Sequence, residues 1–350
     1  MRSLFRENVE RMHGYIPGAQ PTGDKIIKLN TNENPYPPSP KVMAAIQSVP
    51  PESLRKYPKI YWDDFRKAAS ELHHVRPEQI VCGNGGDEIL TMLTRACCEE
   101  KRGMAYPTCT YTLYKILSEI QNCQAYEYAF DDYNTIPDAL YNSPAGLTIL
   151  CNPNAPTTTL IDLDQLDTLA SKVNGVLLID EAYADFSDQN AISLLEKHHN
   201  IAILRSLSKG YSLAGLRFGY CITSEIIANA MCKVKDSYNL NAITQAAATA
   251  AILDQPYFKE NVDKIISERT RITNALTALG FKVPHSHTNF VLAQIDSPKA
   301  GDIYQKLAQS QIYVRYFTDK RLEDKLRITI GTPDENDALL TALSHMMPKS

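Results

Sequence analysis

Short apolar runs rich in isoleucine, valine and leucine recur through the middle of this 350-residue chain, and each is followed by a polar or glycine-containing loop. The clearest runs cover residues 80–82, 148–151, 176–179 and 201–204. Runs of this length and composition are typical of strands that are buried on both faces. Because helical patterns alternate with them over residues 40–255, the sequence predicts a largely parallel sheet with helices on both sides.

The C-terminal part of the chain predicts a second lobe. Residues 258–279 have the pattern of one long helix, and Gly280 follows as its C-cap. Beyond that helix, residues 290–293, 312–314 and 326–330 have the composition of strands. The long helix would therefore connect the large sheet to a smaller lobe with strands of its own.

The N-terminal segment is expected to join this smaller lobe. Residues 1–13 carry apolar side chains at helical spacing, which predicts a short amphipathic helix. The predicted division is an N-terminal arm that forms part of the small domain (residues 1–39), a large domain (residues 40–255) and a C-terminal small domain (residues 256–350).

Charge and composition argue against several kinds of partner. Lysine plus arginine number 36 against 40 for aspartate plus glutamate, so neither nucleic acid nor an anionic membrane is an expected partner. No apolar run approaches the ~18 residues of a membrane span, and the first residues lack the apolar region of a secretory signal. The eight cysteines lack metal-type spacing, so we expect free thiols in a reducing cytoplasm and no bound metal.

Residues 206–220 carry the strongest chemical signal of the chain. Ser206 and Ser208 precede Lys209, and Arg217 follows beside Gly219. Hydroxyls, a guanidinium and glycines suit a bound phosphate, and a lysine held unprotonated among them can act as a nucleophile. A serine-lysine pair alone would be explained equally well by a surface loop with a solvated lysine.

The whole string resembles the cofactor-lysine segment of the histidinol-phosphate aminotransferase family, whose members are pyridoxal-phosphate enzymes of fold type I. The family pattern, S-x-S-K followed by L-A-G-L-R-x-G-Y, matches here from Ser206 to Tyr220. The resemblance implies that Lys209 binds pyridoxal 5′-phosphate covalently, while Ser206, Ser208 and Arg217 hold its phosphate. It also implies an α/β fold with a mostly parallel seven-stranded sheet in the large domain, a smaller α+β domain, and a homodimer with shared active sites.

A glycine loop at residues 83–88 follows a predicted strand and opens a predicted helix. The free N–H groups of such a helix start can seat a phosphate, and Gly85, Gly86 and Asp87 are candidate cofactor residues. A dinucleotide fingerprint is excluded because Glu88 stands where its third glycine would be. A plain strand-to-helix turn would explain this string as well.

The segment Asp180-Glu181-Ala182-Tyr183 ends another predicted strand. Aspartates at strand ends often cap helices, but the carboxyl end of a parallel strand is also where such folds bind ligands. By resemblance, Asp180 keeps the pyridine nitrogen of the cofactor protonated, and Tyr183 contacts its phenolic oxygen.

Two aromatic residues are assigned by resemblance alone. The family's R-x-Y-P segment matches residues 55–58, which implies that Tyr57 reaches the cofactor phosphate of the neighbouring subunit. Residues 109–114 match the segment whose first aromatic stacks on the pyridine ring, which points to Tyr111. Tyr106 is close enough along the chain to remain an alternative.

Residues 152–158 depart from the family's usual N-P-N-N-P-T-G, with Ala155 and Thr158 at the variant positions. In the family, the asparagine before the second proline donates a hydrogen bond to the cofactor's phenolic oxygen. Alanine cannot donate that bond. Either Asn154 substitutes for it, or Tyr183 acts without it.

Substrate contacts are also implied by the resemblance. The N-E-N-P loop after residue 30 supplies Asn32, the N-terminal arm supplies Tyr15, and two predicted strands of the small lobe supply Arg315 and Arg327. Two arginines on neighbouring strands could bind one anion together. The implied donor is histidinol phosphate and the implied acceptor is 2-oxoglutarate.

Other activities fit the same fold. An aromatic amino acid aminotransferase or a threonine-phosphate decarboxylase would share most of these residues. A protein that binds the cofactor without turnover is a further alternative from another class, against which the presence of Lys209, Asp180 and both arginines counts.

Overall fold

The computed structural model describes residues 4–16, 18–23 and 25–347. The strands of this part are β1 (Ile27–Lys28), β2 (Ile80–Asn84), β3 (Met104–Pro107), β4 (Ala125–Tyr128), β5 (Leu147–Cys151), β6 (Val176–Asp180), β7 (Ile201–Ser206), β8 (Phe218–Thr223), β9 (Phe290–Gln294), β10 (Ile312–Tyr313), β11 (Arg315–Tyr316) and β12 (Lys325–Thr329). The helices are α1 (Glu7–Arg11), α2 (Pro40–Gln47), α3 (Pro51–Leu54), α4 (Asp63–His73), α5 (Gly86–Cys97), α6 (Leu113–Gln121), α7 (Leu163–Lys172), α8 (Glu225–Val234), α9 (Ala242–Leu253), α10 (Gln255–Ala278), α11 (Ala300–Gln309) and α12 (Pro333–Ser344).

The large sheet has the strand order β2-β8-β7-β6-β5-β3-β4. Only β8 runs antiparallel to its neighbours, and the other pairs are parallel. Every residue of β5 is buried, and so is nearly every residue of β6 and β7. Strands without a solvent-facing side need helices on both faces, which these have. The predicted α/β fold with a mostly parallel seven-stranded sheet is therefore confirmed.

This sheet gathers polar residues at one edge. The parallel strands β5, β6 and β7 end at Cys151, Asp180 and Ser206, and they are neighbours in the sheet. The carboxyl ends of parallel strands open onto the same crevice, where open α/β sheets bind their ligands. The loop that contains Lys209, the loop that contains Ala155 and the start of α5 all follow strands that end there.

The small lobe is built on a three-stranded antiparallel sheet of order β11-β12-β9 and on the pair β1-β10. Helix α10 leads into it, as the predicted long helix should, and Gly280 follows with φ +92°, a left-handed value that suits glycine. In the register of β11 and β12, Arg315 lies directly opposite Arg327. The domain boundaries themselves remain a prediction.

The predicted N-terminal helix over residues 1–13 is much shorter in the structure, where α1 covers Glu7–Arg11 only. Residues 1–3 lie outside the described part. Helix α1 has no buried residue, and its contact with α6 includes a hydrogen bond from the Asn8 amide to the carbonyl of Glu119 at 2.7 Å. Short helices that bury no apolar face are marginal, which fits its short length. Of the helices that the structure describes, none is both long and apolar enough to cross a membrane.

Candidate active site

A cavity of about 530 Å³ lies between the carboxyl edge of the large sheet and the small lobe. Most of the predicted site residues line it, and this includes residues from both ends of the chain. They are Tyr15, Asn32, Gly86, Asp87, Tyr111, Asp180, Tyr183, Ser206, Ser208, Lys209, Arg217, Arg315 and Arg327. The fold thus brings together side chains that sequence motifs had identified separately.

Lys209 is half-buried in this cavity, on the loop that follows β7. Its Nζ donates a hydrogen bond to the carbonyl of Thr31 at 3.3 Å, and within the described chain it has no ion-pair partner. Burial lowers the pKa of Lys209 to about 8, and the positive charge of Arg327 acts in the same direction. An amine with a lowered pKa in such a site is a competent nucleophile and base.

The backbone of Lys209 is held by a residue that the motif analysis did not identify. Asn34 donates from its amide nitrogen to the carbonyls of Lys209 at 2.9 Å and Gly210 at 3.2 Å. On the other side, the backbone N–H of Ser208 donates to Oγ of Ser206. These bonds fix the start of the loop, so the direction in which Lys209 projects is set by both the sheet and the N-terminal segment.

Asp180 ends β6 and is buried at 4% exposure. Its Oδ2 accepts a hydrogen bond from the hydroxyl of Tyr114 at 2.7 Å, and its Oδ1 accepts one from the backbone N–H of Ala182 at 3.1 Å. Burial raises the pKa of Asp180 to about 6, although both hydrogen bonds oppose that rise. Tyr114 was missed at the sequence level; the only signal was its place three residues after Tyr111, next to a helix start.

Tyr183 and Asn32 meet at the centre of the cavity. The amide nitrogen of Asn32 donates to the hydroxyl of Tyr183 at 2.8 Å. Burial raises the pKa of Tyr183 to about 12, while the nearby Arg327 charge and the bond from Asn32 oppose the rise. The amide of Asn32 is directed at Tyr183 and not at the open space of the cavity. A contact between Asn32 and a substrate therefore stays a prediction.

The start of α5 and the loop after β7 form an anion cradle. Gly85 caps α5 with φ +81°, and a Cβ there would lie 2.5 Å from a nitrogen of Arg217. Only glycine therefore fits at this point, although Gly85 does not itself line the cavity. Arg217 binds Asp87 at 3.0 Å, and Asp87 also accepts from the hydroxyl of Tyr111. The hydroxyls of Ser206 and Ser208 face the same cavity.

The opposite end of the cavity carries the arginine pair. Arg327 donates from Nη2 to the carbonyl of Asn30 at 2.9 Å, while its buried Nε has no partner in the part of the chain that the structure describes. Burial lowers the pKa of Arg327, and the facing charge of Arg315 adds to this effect. Neither guanidinium forms an ion pair with any described carboxylate. Two unpaired cations on adjacent strands form a site for an anion.

Three residues that the sequence suggested as cofactor contacts, Tyr57, Tyr106 and Asn154, do not line the cavity. Tyr57 is 79% exposed and stacks on Tyr238, with ring centroids 4.3 Å apart, and it does not line the cavity of its own chain. Tyr106 is buried away from the cavity, so of the two candidates for stacking only Tyr111 lines it. Asn154 also lies outside the cavity lining. Its amide donates to the carbonyl of Cys109 and to the hydroxyl of Thr157, so the structure disfavours it as the substitute for the amide missing at Ala155.

A network of buried ion pairs lies next to the residues that line the cavity. The sequence did not predict it. Arg205 in β7 binds Glu181 at 3.1 Å and Asp185 at 2.6 Å. Both carboxylates flank Tyr183 in the chain, and their partner lies four residues before Lys209. Because such groups are costly to bury unless paired, the network holds the two functional loops in one arrangement.

The cavity suits a phosphorylated aldehyde cofactor on chemical grounds. A lysine without an ionic partner could bind the aldehyde, and the cradle of Gly86, Ser206 and Arg217 could bind a phosphate at one end. The buried carboxylate accepts one hydrogen bond at each of its oxygens, so each oxygen can still accept from a further donor. A phenol also lines the cavity. These residues fit pyridoxal 5′-phosphate.

Comparisons with known proteins agree with this geometry. The family model for aminotransferase class I and II matches residues 24–343. The chain is 46% identical over 349 residues to histidinol-phosphate aminotransferase 1 of Nostoc sp. (strain PCC 7120), covering 99% of each sequence. It is 40% identical to histidinol-phosphate aminotransferase of Rhodopirellula baltica, covering 98% of this chain and 96% of that one. The crystal structure of histidinol-phosphate aminotransferase from Sinorhizobium meliloti, in complex with pyridoxal-5′-phosphate, superposes with a TM-score of 0.89 at 25% identity, covering 99% of this chain and 98% of that one.

Proposed function

The chain belongs to the histidinol-phosphate aminotransferases within the class I and II aminotransferase family, and from this premise we propose that it moves the amino group of histidinol phosphate to 2-oxoglutarate, with pyridoxal phosphate as cofactor. The single observation that carries the substrate choice is the unpaired arginine couple, Arg315 and Arg327, at the end of the cavity away from the phosphate cradle. To balance the charge of this arginine pair, the substrate must carry an anion of its own in addition to the phosphate of the cofactor.

When bound, pyridoxal phosphate supplies an electron sink for the charge that develops on the α carbon of the substrate. Lys209 takes the α proton on its Nζ, a task for which its pKa of about 8 is suited at neutral pH. Asp180 would hold a proton at the pyridine nitrogen, since a buried carboxylate interacts strongly with a cation. Tyr183 would donate its phenolic hydrogen to the cofactor's phenolic oxygen, and Tyr111 would hold the ring in place.

Arg315 and Arg327 bind the distal anion of each substrate in turn. A phosphate monoester carries close to two charges and three acceptor oxygens near neutral pH, so two guanidinium forks match it better than one. The carboxylates of 2-oxoglutarate use the same pair. Tyr15 lines the mouth of the cavity, with its ring centroid 6.1 Å from that of Tyr111, and closes the substrate side.

A homodimer is part of the proposal. Large apolar side chains are exposed along α2, α3, the following loop and α9, and they include Met43, Leu54, Tyr57, Tyr61 and Leu253. A monomeric protein rarely exposes so many near one another. A second copy that covers this face would bring Tyr57 to the neighbouring cavity. The count of 36 lysines and arginines against 40 aspartates and glutamates favours neither nucleic acid nor an anionic membrane as partner.

Single-turnover conversion of the loaded enzyme by a panel of donors tests the substrate. Histidinol phosphate should react faster than histidinol, phenylalanine, tyrosine or threonine phosphate. Arg315→Ala should depress the histidinol-phosphate reaction far more than that of an uncharged donor, and Arg327→Ala should harm both substrates. Removing one partner of a buried charged contact costs on the order of 2–5 kcal/mol, or roughly 30-fold to a few thousand-fold in rate.

Arg321→Ala is the matched control. Arg321 lies between β11 and β12 but pairs with Asp319 at 2.7 Å and does not line the cavity. It should leave every donor unaffected. If the wild-type protein converts phenylalanine or tyrosine much better than histidinol phosphate, the chain is an aromatic aminotransferase, and release of CO₂ from threonine phosphate would instead identify a decarboxylase.

A further inference from the structure

The loop after β5 offers no hydrogen-bond donor to the centre of the cavity. Ala155 lines the cavity at 7% exposure, and its methyl group packs with the rings of Tyr183 and Phe290 in a small buried cluster. The neighbouring amide, Asn154, is consumed within its own loop. The side of Tyr183 that faces this loop is therefore apolar.

An amide reaches Tyr183 from a different part of the chain. Asn32, on the loop after β1, is 2% exposed and donates from Nδ2 to the Tyr183 hydroxyl at 2.8 Å. Asn32 has φ +56°, a left-handed conformation that asparagine tolerates better than most residues. The loop thus turns this amide into the cavity at a backbone geometry that few other residues would accept.

The orientation of the Asn32 amide is determined by its other contacts. Its Oδ1 accepts from the hydroxyl of Thr329 at 3.2 Å, and the same hydroxyl oxygen accepts from the Asn32 backbone N–H at 3.0 Å. The Asn32 carbonyl accepts from the amide of Asn289 at 3.0 Å. With Oδ1 engaged as an acceptor, Nδ2 is the atom that faces Tyr183.

The polarity of this contact has a chemical consequence. Because the Tyr183 oxygen accepts from Asn32, the single hydrogen of the phenol is free to point elsewhere. No acceptor for that hydrogen is found among the residues that the structure describes. The phenol is thus prepared to donate into the cavity.

We propose that Asn32 is the positioning residue for Tyr183, and that it replaces, from the N-terminal loop, the amide that the family usually places at position 155. This inference rests on the proposed function, since it concerns how Tyr183 donates to the phenolic oxygen of pyridoxal phosphate. The phenolic oxygen then accepts from Tyr183, whose own oxygen accepts from Asn32. In the usual family pattern, the phenolic oxygen accepts from both the tyrosine and an asparagine at position 155.

The test is a pH titration of the visible absorbance of the cofactor-loaded protein, which reports the proton on the nitrogen that joins Lys209 to the cofactor. The phenolic oxygen of the cofactor shares that proton. Each hydrogen bond donated to this oxygen reduces its negative charge and so lowers the affinity for the proton. Asn32→Gly removes the amide without backbone strain at φ +56°. It should raise the apparent pKa by about one pH unit, which is tenfold in proton affinity.

Asn30→Ala is the matched control for disturbance of the loop. Asn30 lies two residues earlier, and its amide donates to the carbonyl of Ala19 at 2.8 Å rather than to Tyr183. It should leave the apparent pKa unchanged. In a Tyr183→Phe background, Asn32→Gly should produce no further shift, because a residue that acts through Tyr183 has nothing left to act on.

Rescue gives the sharpest outcome. The double variant Asn32→Gly with Ala155→Asn restores an amide beside Tyr183 from the other loop, and it should bring the apparent pKa back toward the wild-type value. Equal titrations of wild type and Asn32→Gly, or an undiminished shift from Asn32→Gly in the Tyr183→Phe background, would overturn the inference.

Failure of the proposed function has a different signature. If the wild-type protein neither develops visible absorbance with pyridoxal phosphate nor converts any donor, the function is wrong. If the wild type is active but Asn32→Gly titrates like it, only the role of Asn32 is wrong.

Discussion

Tyr114→Phe should change the acidity of Asp180 without changing the shape of the core. Tyr114 is fully buried, and its hydroxyl donates to Oδ2 of Asp180 at 2.7 Å. Phenylalanine keeps the ring and removes only this donor. The substitution therefore removes the donor to a carboxylate that we assign to the pyridine nitrogen, together with the contact of the same hydroxyl with the thiol of Cys151.

The size of the effect follows from the contacts of Asp180. Burial holds its pKa at about 6 while the Tyr114 bond pulls that pKa down. A hydrogen bond to a charged group contributes about 1.5–3 kcal/mol, or about one to two pH units. Without the bond, the pKa should rise to about 7–8. At pH 7 the apoprotein would then hold Asp180 half or more protonated, where the wild type holds it mostly ionised.

The same shift predicts how stability depends on pH. The folded chain binds the Asp180 proton more tightly than the unfolded chain, whose pKa is near 3.8. The free energy of unfolding should therefore fall as pH rises from about 4 to about 6, by about 3 kcal/mol from this residue. In Tyr114→Phe the fall should continue to about pH 7–8, so the variant loses more stability relative to wild type at neutral than at acid pH.

Infrared titration of the apoprotein provides the assay, with the carboxyl band assigned through its loss in Asp180→Asn. Tyr106→Phe is the matched control. Tyr106 is buried beside Tyr114, with ring centroids 5.8 Å apart, and its hydroxyl has no partner among the described residues. Removing it should leave the Asp180 band unmoved. The reasoning is refuted if Tyr114→Phe titrates like wild type, or if Tyr106→Phe shifts the band equally.

Two further predictions concern covalent binding and the dimer. Borohydride treatment of the loaded protein should fix the cofactor on Lys209. Mass spectrometry that places the label on another lysine would contradict the assignment. The Lys209→Ala variant should still bind cofactor through Ser206, Ser208 and Arg217 but lose nearly all transamination. Mixing inactive Tyr57→Phe and Lys209→Ala subunits should partly restore activity, because one site of each heterodimer then contains neither lesion, whereas no recovery despite demonstrated subunit exchange would mean that each chain builds its own site.

Much of the fold and many of the site residues could be predicted because both are encoded locally. Continuous apolar runs such as residues 176–179 are typical of strands buried on both faces, and the ends of parallel strands converge at one edge. The strings around Lys209 and Asp180 are long enough to indicate their chemistry. Where the pattern was weak, as at residues 1–13, the described helix covers only Glu7–Arg11, none of its residues is buried, and the predicted length was wrong.

The contacts that tune the site could not be predicted from local patterns. Tyr114 is 66 residues from Asp180 in the chain, and Asn32 is 151 residues from Tyr183. Each bond depends on where a helix or loop lies against the sheet, to within the reach of one side chain. A pattern can suggest that a tyrosine is buried, but which carboxylate receives its hydrogen depends on the tertiary arrangement.

The loop at residues 30–34 forms hydrogen bonds with functional residues at both ends of the cavity. The carbonyl of Asn30 accepts from Arg327, and that of Thr31 accepts from Lys209. Asn32 donates to Tyr183, and Asn34 donates to the backbone of Lys209. The loop is tied in turn to the small lobe through Thr329. The residue that binds the distal anion and the residue that moves the proton therefore share one support. A small lobe displaced from the large sheet would loosen the anion site, the Tyr183 donor and Lys209 together, so the bonds of this loop couple substrate binding to the assembly of the catalytic groups.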